Sequence, residues 1–312
     1  MAVYKRTYKG YAGALTAAWS RFLILPRYSY ARLFQSKFLI MFLMACFFYP
    51  LGCAGFIYLS HNVSFLKTFN IQAGRLLDID ARFFVAFCTV QGALAYLLTA
   101  LVGPSLVSPD LANNALPLYF CRPFSRAEYV AGKMSVLLFL LSLITWIPGL
   151  ILFVIQASLA GWEWTTANLW IAGSIFVGLA VWIMVLSLIA LAMSAWVKWK
   201  IAAGALILGV FFAGAGFGAA INAVMRTKSG TLIDLTQVIA TVWSKLFRFD
   251  PTTGISVTDA WISLGVTCAI CLWLLARRVR AFEVVKWAGR RRAPKAWWCS
   301  RMSRGSTGKC WA

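Results

Sequence analysis

Six stretches of this sequence contain no Asp, Glu, Lys, Arg or His: Phe38–Ser60, Phe83–Gly103, Met134–Leu159, Leu169–Val197, Ile201–Met225 and Ala260–Ala276. Each has the length, about 17 apolar residues or more, that crosses the hydrocarbon core of a bilayer as a helix. Lipid offers no partner to a backbone N–H or C=O, so a spanning segment must bond internally, and a helix does this within one segment. The alternating pattern of a membrane β-barrel strand is absent. Composition agrees: 61% of residues are hydrophobic and 12% charged, about half the charge of a soluble domain. The expected fold is an all-α integral membrane protein with six transmembrane helices.

The charged residues fall between these stretches. The chain holds 30 Lys and Arg against 9 Asp and Glu. They flank apolar runs instead of forming a stripe, so the excess points to lipid headgroups and not to nucleic acid. With the N-terminal segment placed in the cytoplasm, the inner segments hold seven Lys and Arg before Phe38, three after span two, two after span four and eleven after Ala276, which makes 23 against seven outside. The positive-inside rule therefore predicts both termini in the cytoplasm. A multi-pass cell membrane location follows, with the bacterial inner membrane as the expected one. Residues 1–37 read as a basic N-terminal segment without a cleavable signal peptide, and residues 277–312 as a basic tail. Residues 38–276 form the membrane domain, with an inner loop at 104–133 and an outer loop at 226–259.

Several features outside the spans have mainly structural readings. Arg27–Gln35 mixes Tyr28, Tyr30, Leu33 and Phe34 with Arg27 and Arg32, which suits a short helix on the inner leaflet. In Leu232–Phe249, apolar residues recur at helical spacing from Leu232 to Leu246. That pattern fits an amphipathic helix on the outer surface, a re-entrant one, or a surface helix packed on the bundle. Gly214 and Gly218 allow close helix approach, within the chain or between two chains, and Pro148 predicts a kink in span three. Trp162, Trp164, Trp170 and Trp287 suit interfacial anchoring. Cys46, Cys53, Cys88, Cys268 and Cys271 lie in apolar spans, where cysteine acts as a small hydrophobe. The single histidine, His61, excludes a His-rich metal site, and no metal ligand set is expected. Asn62-Val-Ser64 matches a glycosylation sequon, which matters only in a eukaryotic secretory setting. The string Gly305-Ser-Thr-Gly308-Lys309-Cys310 lacks the first glycine and the final Ser/Thr of a phosphate loop, so no nucleotide site is expected.

The inner loop after span two is the most informative segment. Ser108-Pro109-Asp110 reads as a helix start, with a capping serine, a first-turn proline and an aspartate at the positive helix end. A short helix is expected from there through Leu111, Asn113 and Asn114 toward Tyr119. Arg122-Pro123-Phe-Ser125-Arg126 then breaks it, and Ser125 caps the helix that becomes span three. A plain helical connector is the simplest account of this spacing.

The same residues carry a resemblance. Leu106-Val-Ser108, Arg122-Pro-Phe-Ser-Arg126-Ala-Glu-Tyr129 and Gly132-Lys133 resemble the loop of the permease subunits of ABC-2 type ATP-binding-cassette exporters. Leu274-Leu-Ala-Arg277-Arg278-Val-Arg280-Ala-Phe-Glu283 is similar to the end of their sixth span. Pro117 and the Trp-rich tail after Lys286 depart from the pattern. The resemblance implies that Ser108 to Tyr119 docks in a separate ATP-hydrolysing subunit, that Arg122, Arg126 and Glu128 brace this docking helix, and that Tyr129 and Lys133 sit at the lipid boundary. It also implies that the chain does no catalysis, that ATP and Mg2+ belong to the partner subunit, and that a second permease copy or homologous permease completes the transporter. Two other classes stay open. A non-transporting scaffold would move no labelled substrate in vesicles. An ion-coupled carrier would work without any ATPase, though the spans lack the ionisable residue such carriers usually hold.

Overall fold

The computed structural model describes residues 24–62, 79–113, 126–251 and 253–278. Among them there is no strand, and six helices are long and apolar enough to cross a membrane. The chain is an all-α, multi-pass membrane protein. Helix α1 (Ile24–Leu33) precedes α2 (Lys37–His61), which is span one, and α3 (Ala81–Ala112), span two. Span three is divided into α4 (Arg126–Ile144) and α5 (Trp146–Ala160). Spans four and five are α6 (Trp162–Trp196) and α7 (Lys200–Met225). A 3₁₀ turn (Ser229–Leu232) and a short helix α8 (Leu235–Leu246) lead to span six, α9 (Val257–Arg278). The Asp, Glu, Lys, Arg and His side chains of the spanning helices lie near their ends, including Lys37, Asp110, Lys133, Lys200, Asp259 and Arg277.

Helix α6 is the axis of the bundle. Within its most apolar stretch 72% of residues are buried, against 22% in spans one, five and six. Spans two and four run in the same direction side by side. Gly92 meets Trp182, Gly103 meets Ala190, and Ser108 meets Ser194. By contrast α5 and α6, joined at Gly161, run antiparallel, with Phe153 on Trp164 and Trp146 on Phe176. The remaining outward faces of α2, α7 and α9 are apolar, as a lipid solvent requires.

Span three breaks at Thr145, whose φ of −106° and ψ of −93° leave the helical region. Pro148 has no N–H for the carbonyl four residues earlier, Ile144, and its ring crowds that carbonyl. Pro50, inside α2, frees Cys46 O in the same way. The Gln91 side chain of span two serves both. Its Nε2 donates to Cys46 O at 3.2 Å and also to Ile144 O. One primary amide carries two N–H donors, and here each fills a position left by a proline in a different helix.

Helix α8 enters the bundle. Its apolar stripe of Leu235, Val238, Ile239, Val242 and Trp243 is buried, while Gln237, Lys245 and the following Arg248 face outward. Trp243 Nε1 donates to Gly178 O at 3.0 Å, midway along α6. Trp182 Nε1 donates to Gly92 O at 3.0 Å, and the two indoles meet edge to face. A Cβ on Gly178 would lie 3.0 Å from Trp243 Cδ1, and one on Gly92 would lie 2.8 Å from Trp243 Cη2. The absence of side chains there lets both rings lie on helix backbone. Both ends of α8 are capped. The Asp234 carboxylate accepts from Thr236 N at 3.0 Å, and Ser174 Oγ donates to Leu246 O at 2.8 Å, which partners groups that a buried helix end would otherwise leave exposed to lipid.

Gly214 and Gly218 face the chain leading into α8. A Cβ on them would lie 2.9 Å from Ile233 O and 2.6 Å from Gly230 O. Their small size serves an approach within the chain, of α7 to the 230–234 segment. Helix α1 packs on span three, with Tyr30 OH donating to Val136 O at 3.2 Å and its ring edge-on to Phe139. Burial pushes the Tyr30 phenol up to about 12.

Candidate coupling site

Span two does not end where a local reading of its sequence places the end. Helix α3 continues from Ala81 through Pro104 and Pro109 to Ala112, and Asn113 is its C-cap. Ser108 is therefore not an N-cap. It lies inside the last turns of α3, fully buried against α6. Its backbone N–H donates to Ser194 Oγ at 3.1 Å, and its hydroxyl donates to Ser194 O at 3.2 Å. Ser194 O belongs to the last turn of α6, where carbonyls lack an intrahelical donor. The contact partners a carbonyl at the end of α6 and fixes the last turns of α3 against it. The capping signal of Ser-Pro-Asp is local, and tertiary packing overrides it.

Asp110 is consequently near the negative end of a helix instead of the positive end, a disfavoured place for a carboxylate. Its partners come from span three. Tyr129 OH donates to Asp110 Oδ2 at 2.8 Å, and Lys133 Nζ lies 2.9 Å from the same oxygen. Lys133 also stands 5.7 Å from the centre of the Tyr129 ring. Tyr129 is 1% exposed and Lys133 6% exposed, so both side chains are buried. Val107, Leu191 and Leu275, from spans two, four and six, border the same small gap as Tyr129 and Lys133. Residues 129 and 133 are four apart, so one face of α4 presents both to Asp110.

The cluster ties the last turn of span two to the first turns of span three, on either side of residues 114–125. Removing one member of a buried ion pair leaves the other uncompensated, at a cost of about 3–5 kcal/mol. The two helix ends are thus held together at the base of the loop they flank. Leu111 is half-buried and Asn113 exposed, Glu128 is half-buried, and Pro109 is buried. Arg126 is the first residue of α4. Asn114, Tyr119, Arg122, Pro123 and Ser125 lie outside the described residues, and so do residues 277–312 beyond Arg278.

Two buried groups at or near this site carry no signal in the motif itself. Ser194 is found only through its contact with Ser108. Gln91 is a polar residue in a charge-free span, and the signal that could locate its role is the pair of prolines at 50 and 148, each freeing a carbonyl four residues back. Among the described residues no group of His, Cys, Asp and Glu is placed to hold a metal ion, and the described cysteines are free. No protein-family model matches the chain, and no curated protein matches it.

Proposed function

We propose that the chain is the membrane permease subunit of an ABC-2 type ATP-driven exporter, in which a separate ATPase subunit acts on the loop between spans two and three. The observation that carries this reading is the buried Asp110–Lys133–Tyr129 cluster at the base of that loop. A force applied to residues 114–125 reaches spans two and three together through it, and spans four and six through its packing. A flexible connector would dissipate the same force. The Arg122-Pro-Phe-Ser-Arg126-Ala-Glu-Tyr129 motif in the loop supports the ABC-2 assignment by resemblance. The confinement of ionisable groups to helix ends supports an external energy source over ion coupling within the spans.

On this reading ATP and Mg2+ bind the partner subunit, the transporter holds two permease chains, and the loop lies in the cytoplasm of a bacterial inner-membrane protein. The test is a photo-crosslinking residue in place of Tyr119, in the host that makes the protein. The expected product is a crosslink to a phosphate-loop ATPase, abolished by Arg122→Ala. Asp110→Asn should retain the crosslink while lowering ATP-dependent transport at least tenfold in reconstituted vesicles. Failure to capture an ATPase from a properly folded chain rejects the proposal.

A further inference from the structure

We propose that the cavity beneath α1 binds the phosphate headgroup of an anionic phospholipid. The cavity has a volume of about 560 Å³ and lies between α1, the end of α3, the start of span three and the start of α7, a size that accommodates a small-molecule moiety. Arg32, Lys133 and Lys200 line it against a single carboxylate, Asp110. Asp110 is already engaged by Lys133. Arg32 and Lys200 are exposed, and the one lining carboxylate, Asp110, is paired with Lys133 and not with them. Among the described residues that line it, the cavity therefore holds a surplus of two positive charges.

The rest of the lining decides between a free anion and an amphiphile. Leu25, Leu33, Leu39 and Leu106 give it an apolar wall, and Phe38 and Leu101 continue that wall onto surface that is exposed. A site for a free phosphate would gain nothing from such a wall. A headgroup with attached acyl chains uses both parts, cations for the phosphate and leucines for the first methylenes. The position suits this ligand, since Lys37 and Lys200 open spans one and five, where a spanning helix leaves the hydrocarbon for the headgroup layer. The site rests on the cavity alone and stands whether or not the chain works with an ATPase.

The test is native mass spectrometry of the detergent-purified full chain with phosphatidylglycerol, with phosphatidylcholine of the same acyl length, and with inorganic phosphate. The basic residues after Ala276 give a background for any anionic lipid. The measurement is therefore the difference between variants at one fixed ionic strength, at which that background is common to all of them. The double variant Arg32→Gln with Lys200→Gln should lose about 25-fold in phosphatidylglycerol affinity, at roughly fivefold per cation. The variant Arg32→Lys with Lys200→Arg should retain most of it. Lys198→Gln, an exposed cation outside the cavity, should bind as wild type. An unchanged melting temperature across the set excludes loss of fold as the cause. Equal affinity for the two lipids in wild type, or equal loss from Lys198→Gln and the double variant, would overturn the site. Displacement of phosphatidylglycerol by millimolar inorganic phosphate would overturn the lipid assignment in favour of a free anion.

Discussion

Gln91 shows how one side chain can set the shape of two helices. Pro50 and Pro148 each free a carbonyl in the bundle interior, and lipid cannot hydrate either one. An unsatisfied buried acceptor costs about 1–3 kcal/mol, so Gln91→Leu should destabilise the protein by roughly 2–5 kcal/mol, read as a lower midpoint in detergent denaturation. Pro50→Ala restores an N–H for Cys46 O within α2. In that background Gln91→Leu should cost about 1–3 kcal/mol less, and a double-mutant cycle measures the difference. Additive effects would show that the contact to Cys46 O carries no energy. The kink at Pro148 is legible from the sequence because proline acts on its own helix. The glutamine that completes it is not, since nothing in the local sequence of span two refers to spans one and three. Asp110 teaches the converse lesson. Its sequence neighbours suggest a helix start, yet it is held by Tyr129 and Lys133, nineteen residues or more along the chain.

Helix α8 is legible as a helix, but the sequence leaves open whether it lies on the outer surface, re-enters or packs on the bundle. Its apolar spacing from Leu235 to Trp243 identifies the buried stripe correctly, with Thr236 and Gln237 exposed and Thr241 buried beside the stripe. The same stripe would serve a helix lying on a membrane surface, because periodicity records which face is buried and not what covers it. The deciding partners are glycines on other spans. Trp243 needs Gly178 bare for its N–H to reach the carbonyl, and Gly92 bare for the far edge of its ring. Gly178→Ala should therefore shift the indole by a few tenths of an ångström, strain its hydrogen bond to Gly178 O and cost about 1–3 kcal/mol as overpacking. Amide hydrogen exchange over 235–246 should accelerate in this variant, while the ends of α3 and α4 around the Asp110 cluster keep their protection. Unchanged exchange in α8 would mean that the Trp243 contact does not hold it in place. Gly214 and Gly218 belong to the same logic, since their partner is the backbone leading into α8.

At the scale of the whole molecule, the six charge-free stretches fix how many helices cross, and the packing makes α6 their axis. Which end faces the cytoplasm is set by the loops, and the coupling proposal depends on it. The ends bearing Asp110, Lys133 and Lys200 gather at one end of the bundle, with α1, while α8 enters from the other. An ATPase can act on residues 114–125 only if that first end faces the ATP pool. The excess of Lys and Arg in the segments assigned to that end, 23 against seven, predicts that it does. Reporter fusions test this directly. Alkaline phosphatase, active only outside the cytoplasm, should be active when fused after Asn62 and inactive when fused after Asn113, and a fluorescent protein should give the reverse pattern. The opposite result would leave the fold, the Gln91 node and the packing of α8 intact. It would place the Asp110 cluster on the side without ATP, and the coupling role would fall with it. The phospholipid site would survive that outcome in the other leaflet, because its charges and its apolar wall do not depend on which side they face.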